Sequence, residues 1–150
     1  MSELRKTTSN DLYFITLSVV GWVDLFSREV YKEIMVSNLE YCQENEGLDI
    51  FAYVIMSNHL HLVCARRDND LKELLGRFKS YTSKLFLKEI QTNSKESRKE
   101  WLLELFGQFA EGNKQYSKYH IWEYTDHPVA LYSNSIIAQI EDSAMHQFKK

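Results

Sequence analysis

The sequence contains few residues that break secondary structure, few cysteines, and no long apolar segment. Its 150 residues include one proline and five glycines, so long disordered linkers are not expected. The two cysteines, Cys42 and Cys64, have no motif spacing, which favours a reducing, cytoplasmic setting. No apolar run approaches the roughly 18 residues of a membrane span. The polar first ten residues lack the apolar core of a signal peptide. We therefore expect one domain over residues 1–150, with residues 1–10 frayed and no membrane contact.

The chain also carries little net charge, because its 18 basic and 21 acidic residues nearly balance. The net charge of −3 does not by itself indicate a protein that binds nucleic acid. Residues 66–88 differ from the rest because they carry seven basic residues against three acidic ones, a local charge of +4. A basic patch on an acidic protein can still bind a polyanion. The alternative for this segment is an ordinary solvated helix face.

The apolar pattern predicts an alternation of strands and helices. β-Branched and aromatic residues predict strands at residues 11–22, 48–57 and 59–67, and a fourth strand with the turn after it at residues 119–132. Apolar residues at helical spacing predict helices at residues 27–47, 68–91 and 133–150, and residues 94–113 are interpreted as a shorter helix and a loop. Ser27 is expected to cap the first helix, Asp68 or Asp70 the second, and Pro128 to end the fourth strand. The expected stripe of the first helix is Val30, Ile34, Leu39 and Tyr41.

This order of elements contains a βαββαβ plan. It predicts an α+β, ferredoxin-like (RRM-like) fold, in which a four-stranded antiparallel sheet carries helices on one face. The final helix is additional to that plan. Trp22, Trp101 and Trp122 are predicted to lie in the core.

Two histidines interrupt the apolar segment VIMSNHLHLV at residues 54–63. In a strand, His59 and His61 share one face at a Cα separation of about 6.6 Å, while Leu60 and Leu62 face the core. The histidines should therefore lie on the open face of the sheet, where they either decorate the surface or converge on one ion. A closed zinc site is disfavoured because no cysteine pair accompanies them. A half-filled site suits Mg²⁺ or Mn²⁺ acting on phosphate.

Three segments resemble the HUH single-tyrosine transposases, a family that includes small insertion-sequence transposases and REP-associated tyrosine transposases. They are YVIMSNHLHLV at 53–63, FKSYTSKLF at 78–86 and IWEYTDHPVALYSN at 121–134. The family usually has proline where Ser57 stands. The resemblance covers most of residues 11–147. It implies a homodimer in the cytoplasm of a bacterium or archaeon, a divalent ion on His59 and His61, and single-stranded hairpin DNA as the substrate.

The resemblance also implies a reaction and its residues. In the family, a tyrosine on the last helix attacks a phosphodiester and forms a 5′-phosphotyrosine link, so that DNA is cleaved and rejoined without a nucleotide cofactor. Gln147 matches the amide that acts as a third metal ligand. Ser143 matches the tyrosine, but serine is shorter and its hydroxyl is less acidic. The chain is therefore a non-cleaving descendant, or Tyr132 is the nucleophile, or the alignment of the last 18 residues is shifted. We favour the first.

Further residues resemble the family's DNA-facing helix. Lys79 and Lys84 could hold phosphates, as could Arg66, and Tyr81 could stack on an unpaired base. Packing in the core is an equal alternative for Tyr81. The remaining histidines, His120, His127 and His146, are expected to be structural or solvated. Two other functions stay open: a non-catalytic binder of DNA or RNA hairpins, and a ferredoxin-like module that senses a small ligand or metal. The second would explain the sheet but not the basic helix.

Overall fold

The computed structural model describes residues 12–67, 70–111 and 118–131. The strands are β1 (Leu12–Ser18), β2 (Leu48–Ile55), β3 (His59–Arg66) and β4 (Val129–Leu131). The helices are α1 (Glu29–Asn45), α2 (Leu71–Thr92) and α3 (Lys99–Ala110). The sheet order is β2-β3-β1-β4 and every neighbouring pair is antiparallel. The predicted ferredoxin-like fold is confirmed. The predicted helix at 133–150 lies outside the described residues.

The two faces of the sheet are packed differently. The helix-covered face contributes alternate strand residues to the main core: Tyr13, Ile15 and Leu17 of β1, and Leu60, Leu62 and Cys64 of β3. A second, smaller apolar cluster is formed by Ala52, Val54, Val63 and Leu131, with Leu12 and Phe14 packed against it. His59 and His61 alternate with Leu60 and Leu62, so they share the face of this smaller cluster and are partly buried there.

The helix starts show which capping signals were used. The prediction of Ser27 as a cap is wrong, because α1 begins after Arg28, which makes no side-chain capping bond. At α2, Asp70 accepts hydrogen bonds from the backbone N–H groups of Lys72 and Glu73, as predicted. Among the described helices, none is at once long and apolar enough to cross a bilayer.

The fourth strand is placed differently from its prediction. Its regular part, Val129–Leu131, follows Pro128 instead of ending there. Upstream, Trp122 forms an isolated bridge to Val19, while Phe14 pairs with Val129. Between these two pairs, four residues of β1 (15–18) face six residues of the partner segment (123–128). The chain bulges before Pro128 because proline has no N–H to donate to a regular ladder.

Two of the three tryptophans are not in the core. Trp122 is buried as predicted, and its Nε1 donates to Thr82 Oγ1 at 2.9 Å. Trp22 and Trp101 are 69% and 54% exposed, so their core assignment was wrong. Trp22 lies in a 3₁₀ turn after β1, and Trp101 lies in the first turns of α3.

Candidate functional site

His59 and His61 bring their imidazole rings together on the sheet face away from α1 and α2. The ring centroids are 4.6 Å apart, and the two Nε2 atoms are separated by 3.1 Å. Two neighbouring octahedral ligands at about 2.1 Å from one ion would be about 3.0 Å apart. The observed distance therefore fits two ligands of a shared ion. The same distance also fits a hydrogen bond in which the Nε2–H of one ring donates to Nε2 of the other. The two nitrogens can therefore pair with each other when no metal ion is bound.

Each ring is oriented through its other nitrogen. His59 Nδ1 lies 2.6 Å from Asn58 Oδ1, and because an amide oxygen only accepts, this nitrogen is the donor and Nε2 presents a lone pair. His61 Nδ1 lies 3.0 Å from Thr16 Oγ1. Such contacts on the remote nitrogen fix the orientation of metal-binding histidines. Thr16 and Asn58 therefore orient the pair.

Aromatic side chains flank both imidazoles. Phe14 stacks on His61 with centroids 5.2 Å apart and an interplanar angle of 20°, and Trp22 meets His59 edge-on at 6.4 Å. Burial lowers the pKa of His59, and burial together with the neighbouring His59 lowers the pKa of His61. Both shifts favour the neutral imidazole at neutral pH, which is the form that binds a metal ion.

The connection between β2 and β3 is fixed to the segment that follows β1. The backbone carbonyl of Ser57 accepts a hydrogen bond from the backbone N–H of Phe26 at 2.8 Å, and the hydroxyl of Ser57 donates to Asp24 Oδ1 at 2.8 Å. Asn58 Nδ2 donates to the carbonyl of Trp22 at 3.4 Å. The serine that stands in place of the family's proline thus supplies a hydrogen bond that proline cannot make.

The predicted third ligand and nucleophile cannot be placed. Tyr132, Ser143 and Gln147 lie outside the described residues. Within the described part of the chain, no group of three or more His, Cys, Asp or Glu side chains could hold a metal ion. Two imidazoles are thus the donor set that the described residues offer, and a further ligand such as Gln147 stays a prediction.

Arg66, predicted to contact DNA, is buried at the end of β3. Its guanidinium donates to the carbonyls of Glu46 and Asp70 at 3.0 and 2.8 Å, and to the carboxylates of Glu46 and Glu73 at 3.1 and 3.0 Å. Hydrogen bonds from Arg77 and Arg66 hold the pKa of Glu73 at about 2. Arg66 therefore ties the end of α1 to the start of α2. Its role in DNA binding stays a prediction that this geometry does not support.

Lys79 is also paired with groups of the protein itself. Its Nζ lies 2.6 Å from Asp126 Oδ1 and donates to the carbonyls of Glu123 and Tyr124 at 3.2 and 3.1 Å. These contacts hold the segment before β4 against α2. A DNA contact by Lys79 would have to compete with them.

Tyr81 and Lys84 lie on the other flank of α2. Tyr81 is 58% exposed, so the alternative that it packs in the core is excluded. With Tyr41, both line a groove of about 620 Å³ between α1 and α2. These helices cover the sheet face opposite His59 and His61. A strand bound in the groove is therefore on the other side of the sheet from the histidines.

Comparison with known proteins agrees with this architecture. The family model described as "Transposase IS200 like" matches residues 23–106, more than half of the chain, including both histidines and FKSYTSKLF. A REP-associated tyrosine transposase solved bound to a REP hairpin is 14% identical, with a TM-score of 0.58 over 96% of this chain and 70% of that one. A candidate transposase from Deinococcus radiodurans R1 is 14% identical, with a TM-score of 0.54 over 98% of each chain. These two similarities concern the fold. No curated protein sequence matches. The match over residues 23–106 shows that the chain belongs to the IS200-like transposase family.

Proposed function

We propose that the protein binds single-stranded hairpin DNA and holds a divalent ion, Mg²⁺ or Mn²⁺, on His59 and His61. The observation that carries this proposal is the convergence of the two Nε2 atoms at 3.1 Å, with Asn58 and Thr16 on the opposite nitrogens. When bound, such an ion polarises a phosphoryl oxygen and neutralises its charge. Family membership supports a phosphodiester of transposon-type DNA as the group that is held there.

The chain's own residues would position this phosphodiester. Thr16 and Asn58 fix the imidazoles, and Phe14 shields one face of His61 from water. Low water access strengthens electrostatic interactions with a phosphate. Gln147 is our proposed third ligand, by its place in the sequence.

Whether the bound hairpin is also cleaved depends on the nucleophile, and Ser143, which aligns with the family's tyrosine, favours a binder that cleaves poorly or not at all. Cleavage requires a hydroxyl oxygen to form a bond to phosphorus while the bond from phosphorus to the 3′ oxygen breaks and that oxygen leaves with the proton. A nucleophile must reach phosphorus at about 3 to 3.5 Å before reaction. Serine lacks the phenyl ring that gives the family's tyrosine its reach. We therefore propose that the chain binds hairpins but cleaves them poorly.

Metal binding is tested by titrating Mn²⁺ and following the free ion by electron paramagnetic resonance. Wild type should bind the ion and His61→Ala should not. His127→Asn is the matched control, because His127 is exposed and its positive φ of 44° is one that asparagine tolerates. Equal binding by wild type and His61→Ala would remove the ion from the histidine pair.

Cleavage is tested by mixing hairpin DNA and Mn²⁺ with wild type, Ser143→Tyr and Tyr132→Phe, and looking for a covalent protein–DNA adduct on a denaturing gel. We expect no adduct with wild type and an adduct with Ser143→Tyr. A wild-type adduct that Tyr132→Phe abolishes would make Tyr132 the nucleophile and contradict our alignment. Hairpin binding without any adduct in all three proteins would favour the binding-only function.

The predicted contribution of residues 66–88 to hairpin binding is tested by the salt dependence of the affinity. Lys84→Ala should weaken binding and reduce the slope of log K against log salt by about one. Lys95→Ala, an exposed lysine in the connection before α3, is the control. Lys79 is a poor probe because its replacement also breaks the ion pair with Asp126. An unchanged slope in Lys84→Ala would place the DNA elsewhere.

We also propose a homodimer, since the final helix is additional to the sheet plan and the family resemblance implies a dimer. Sedimentation at tens of micromolar should give the dimer mass. A monomer at that concentration would contradict the proposal.

A further inference from the structure

Trp22 is presented to solvent by an unfavourable backbone conformation. It has a φ of 56° and follows Gly21 at 65°, and a bulky residue rarely adopts this left-handed region. The turn is held by a hydrogen bond from Trp22 N to the carbonyl of Val19 at 3.2 Å and by Asn58 Nδ2 on the carbonyl of Trp22. The surrounding contacts therefore fix an exposed indole in one place.

Helix α3 supports this turn and carries a second exposed indole. A Cβ on Gly21 would lie 2.9 Å from Phe109 Cε2, so the ring of Phe109 packs directly against the glycine. Trp101, Leu105 and Phe109 are spaced four residues apart and share one face of α3. Trp22, Trp101 and Leu105 line one cleft of about 370 Å³.

The polar groups of this cleft are already paired or acidic. Arg98 donates through Nε and one terminal nitrogen to Glu96, and through the other to the carbonyl of Asp24. The carboxylate of Asp24, which also lines the cleft, accepts from Ser57. A cleft with a neutralised cation and an exposed carboxylate disfavours a phosphate. Its two indoles favour a flat, uncharged ring.

The cleft begins beside the histidine pair, because the Trp22 ring is 6.4 Å from the ring of His59. We propose that Trp22 and Trp101 form a subsite for an unpaired nucleobase next to the phosphate held at His59 and His61. The inference rests on the proposed function for that phosphate. A base stacked in this cleft selects unpaired DNA, since a paired base keeps its faces inside the duplex stack. Trp22 lies directly before the residues matched by the family model, whereas Trp101 lies within them.

The test compares three labelled hairpins: one with thymidine tails on both ends, one with abasic tails that keep the phosphates, and one without tails. Wild type should bind the thymidine-tailed hairpin about five-fold or more tighter than the abasic-tailed one, which corresponds to one stacked base. Its tryptophan emission should also be quenched by the thymidine tails alone. This comparison uses wild type only and does not depend on how a variant folds.

Variants then assign the effect to the two indoles. Trp22→Leu and Trp101→Leu should lose the preference for thymidine over abasic tails, and Trp22→Phe should keep part of it. The control is Phe51→Leu. Phe51 is an exposed aromatic at the bulge of β2, opposite the part of β3 around Cys64, and Cys64 is about 16 Å along β3 from His59. Phe51→Leu should bind as wild type does.

The outcomes separate this inference from the proposed function. Hairpin binding with equal affinity for thymidine and abasic tails would overturn the base subsite and leave the proposed function standing. Absence of hairpin binding would contradict the proposed function. In that case a short oligothymidine decides on the subsite: quenching in wild type that is lost in Trp22→Leu supports it, and no quenching overturns it.

Discussion

Replacing Glu96 by Gln should strongly destabilise the protein. It should also loosen Arg98, which lines the cleft formed with Trp22 and Trp101. The side chain of Glu96 is 2% exposed. It accepts hydrogen bonds from the hydroxyl of Tyr31 at 2.7 Å, from the backbone N–H of Arg98 at 2.9 Å and from the Arg98 guanidinium at 2.9 and 3.1 Å. Burial raises the pKa of Glu96, but the hydrogen bonds from Arg98 and Tyr31 outweigh it and hold the pKa at about 2.

The magnitude follows from that pKa. A carboxyl group lowered from 4.5 to about 2 contributes about 3 kcal/mol to the free energy of unfolding at neutral pH, at roughly 1.4 kcal/mol per pH unit. Because the folded pKa is the lower one, this contribution is present above pH 4.5 and is lost as the pH falls towards 2. Glutamine cannot carry the charge and leaves Arg98 without its counterion, so a loss of about 3 kcal/mol is expected at pH 7.

The assay is urea unfolding at pH 7 and at pH 3, followed by circular dichroism. The gap in unfolding free energy between wild type and Glu96→Gln should be large at pH 7 and clearly smaller at pH 3. Tyr31→Phe is the control, since it removes one hydrogen bond to the carboxylate and should cost about 1.5 kcal/mol or more. A gap of the same size at both pH values would refute the reasoning, as would a Glu96→Gln protein as stable as wild type.

Three other substitutions test the site and its supports. Thr16→Val removes the hydroxyl from His61 Nδ1 and should weaken Mn²⁺ binding about 10- to 100-fold in the titration described above, whereas unchanged affinity would mean that Thr16 does not orient the ring. Gly21→Ala should lower the free energy of unfolding by about 1 to 3 kcal/mol, because of the positive φ and the contact with Phe109, and an unaffected urea midpoint would contradict this. Gly76→Ala, within α2 and with no atom within 4 Å of the added carbon, should instead raise it by about 0.5 to 1 kcal/mol in the same urea assay; a decrease would show hidden crowding.

Local periodicity was enough to predict the order of the elements that the structure describes and the face of the histidines. Side chains two apart in a strand must share a face, so Leu60 and Leu62 in the core place His59 and His61 opposite them without knowledge of the partner strands. Asp70 was likewise recognisable as a cap, because an acceptor just before an apolar helix bonds to that helix's own N–H groups. These features depend on neighbours in sequence.

Helix α1 shows where periodicity becomes ambiguous. The sequence offers two adjacent apolar stripes, and the predicted one was Val30, Ile34, Leu39 and Tyr41, of which Leu39 is buried and Val30 and Ile34 pack partly buried against the core. The structure buries Tyr31, Met35, Leu39 and Cys42, and leaves Tyr41 exposed. Both stripes satisfy helical spacing, so the orientation of the helix on the sheet decides between them.

What the sequence determined is therefore the strand that carries the two histidines, the face on which they lie, and the family. What only the tertiary structure decided is every contact between distant segments. Thr16 reaches His61 through the β1–β3 register, and Arg66 and Lys79 find acidic partners inside the fold. Trp22 is exposed because its turn adopts a positive φ against α3. Alternation and spacing are local properties of the chain, whereas register, ion pairing and the docking of a helix on a turn exist only once separate segments pack together.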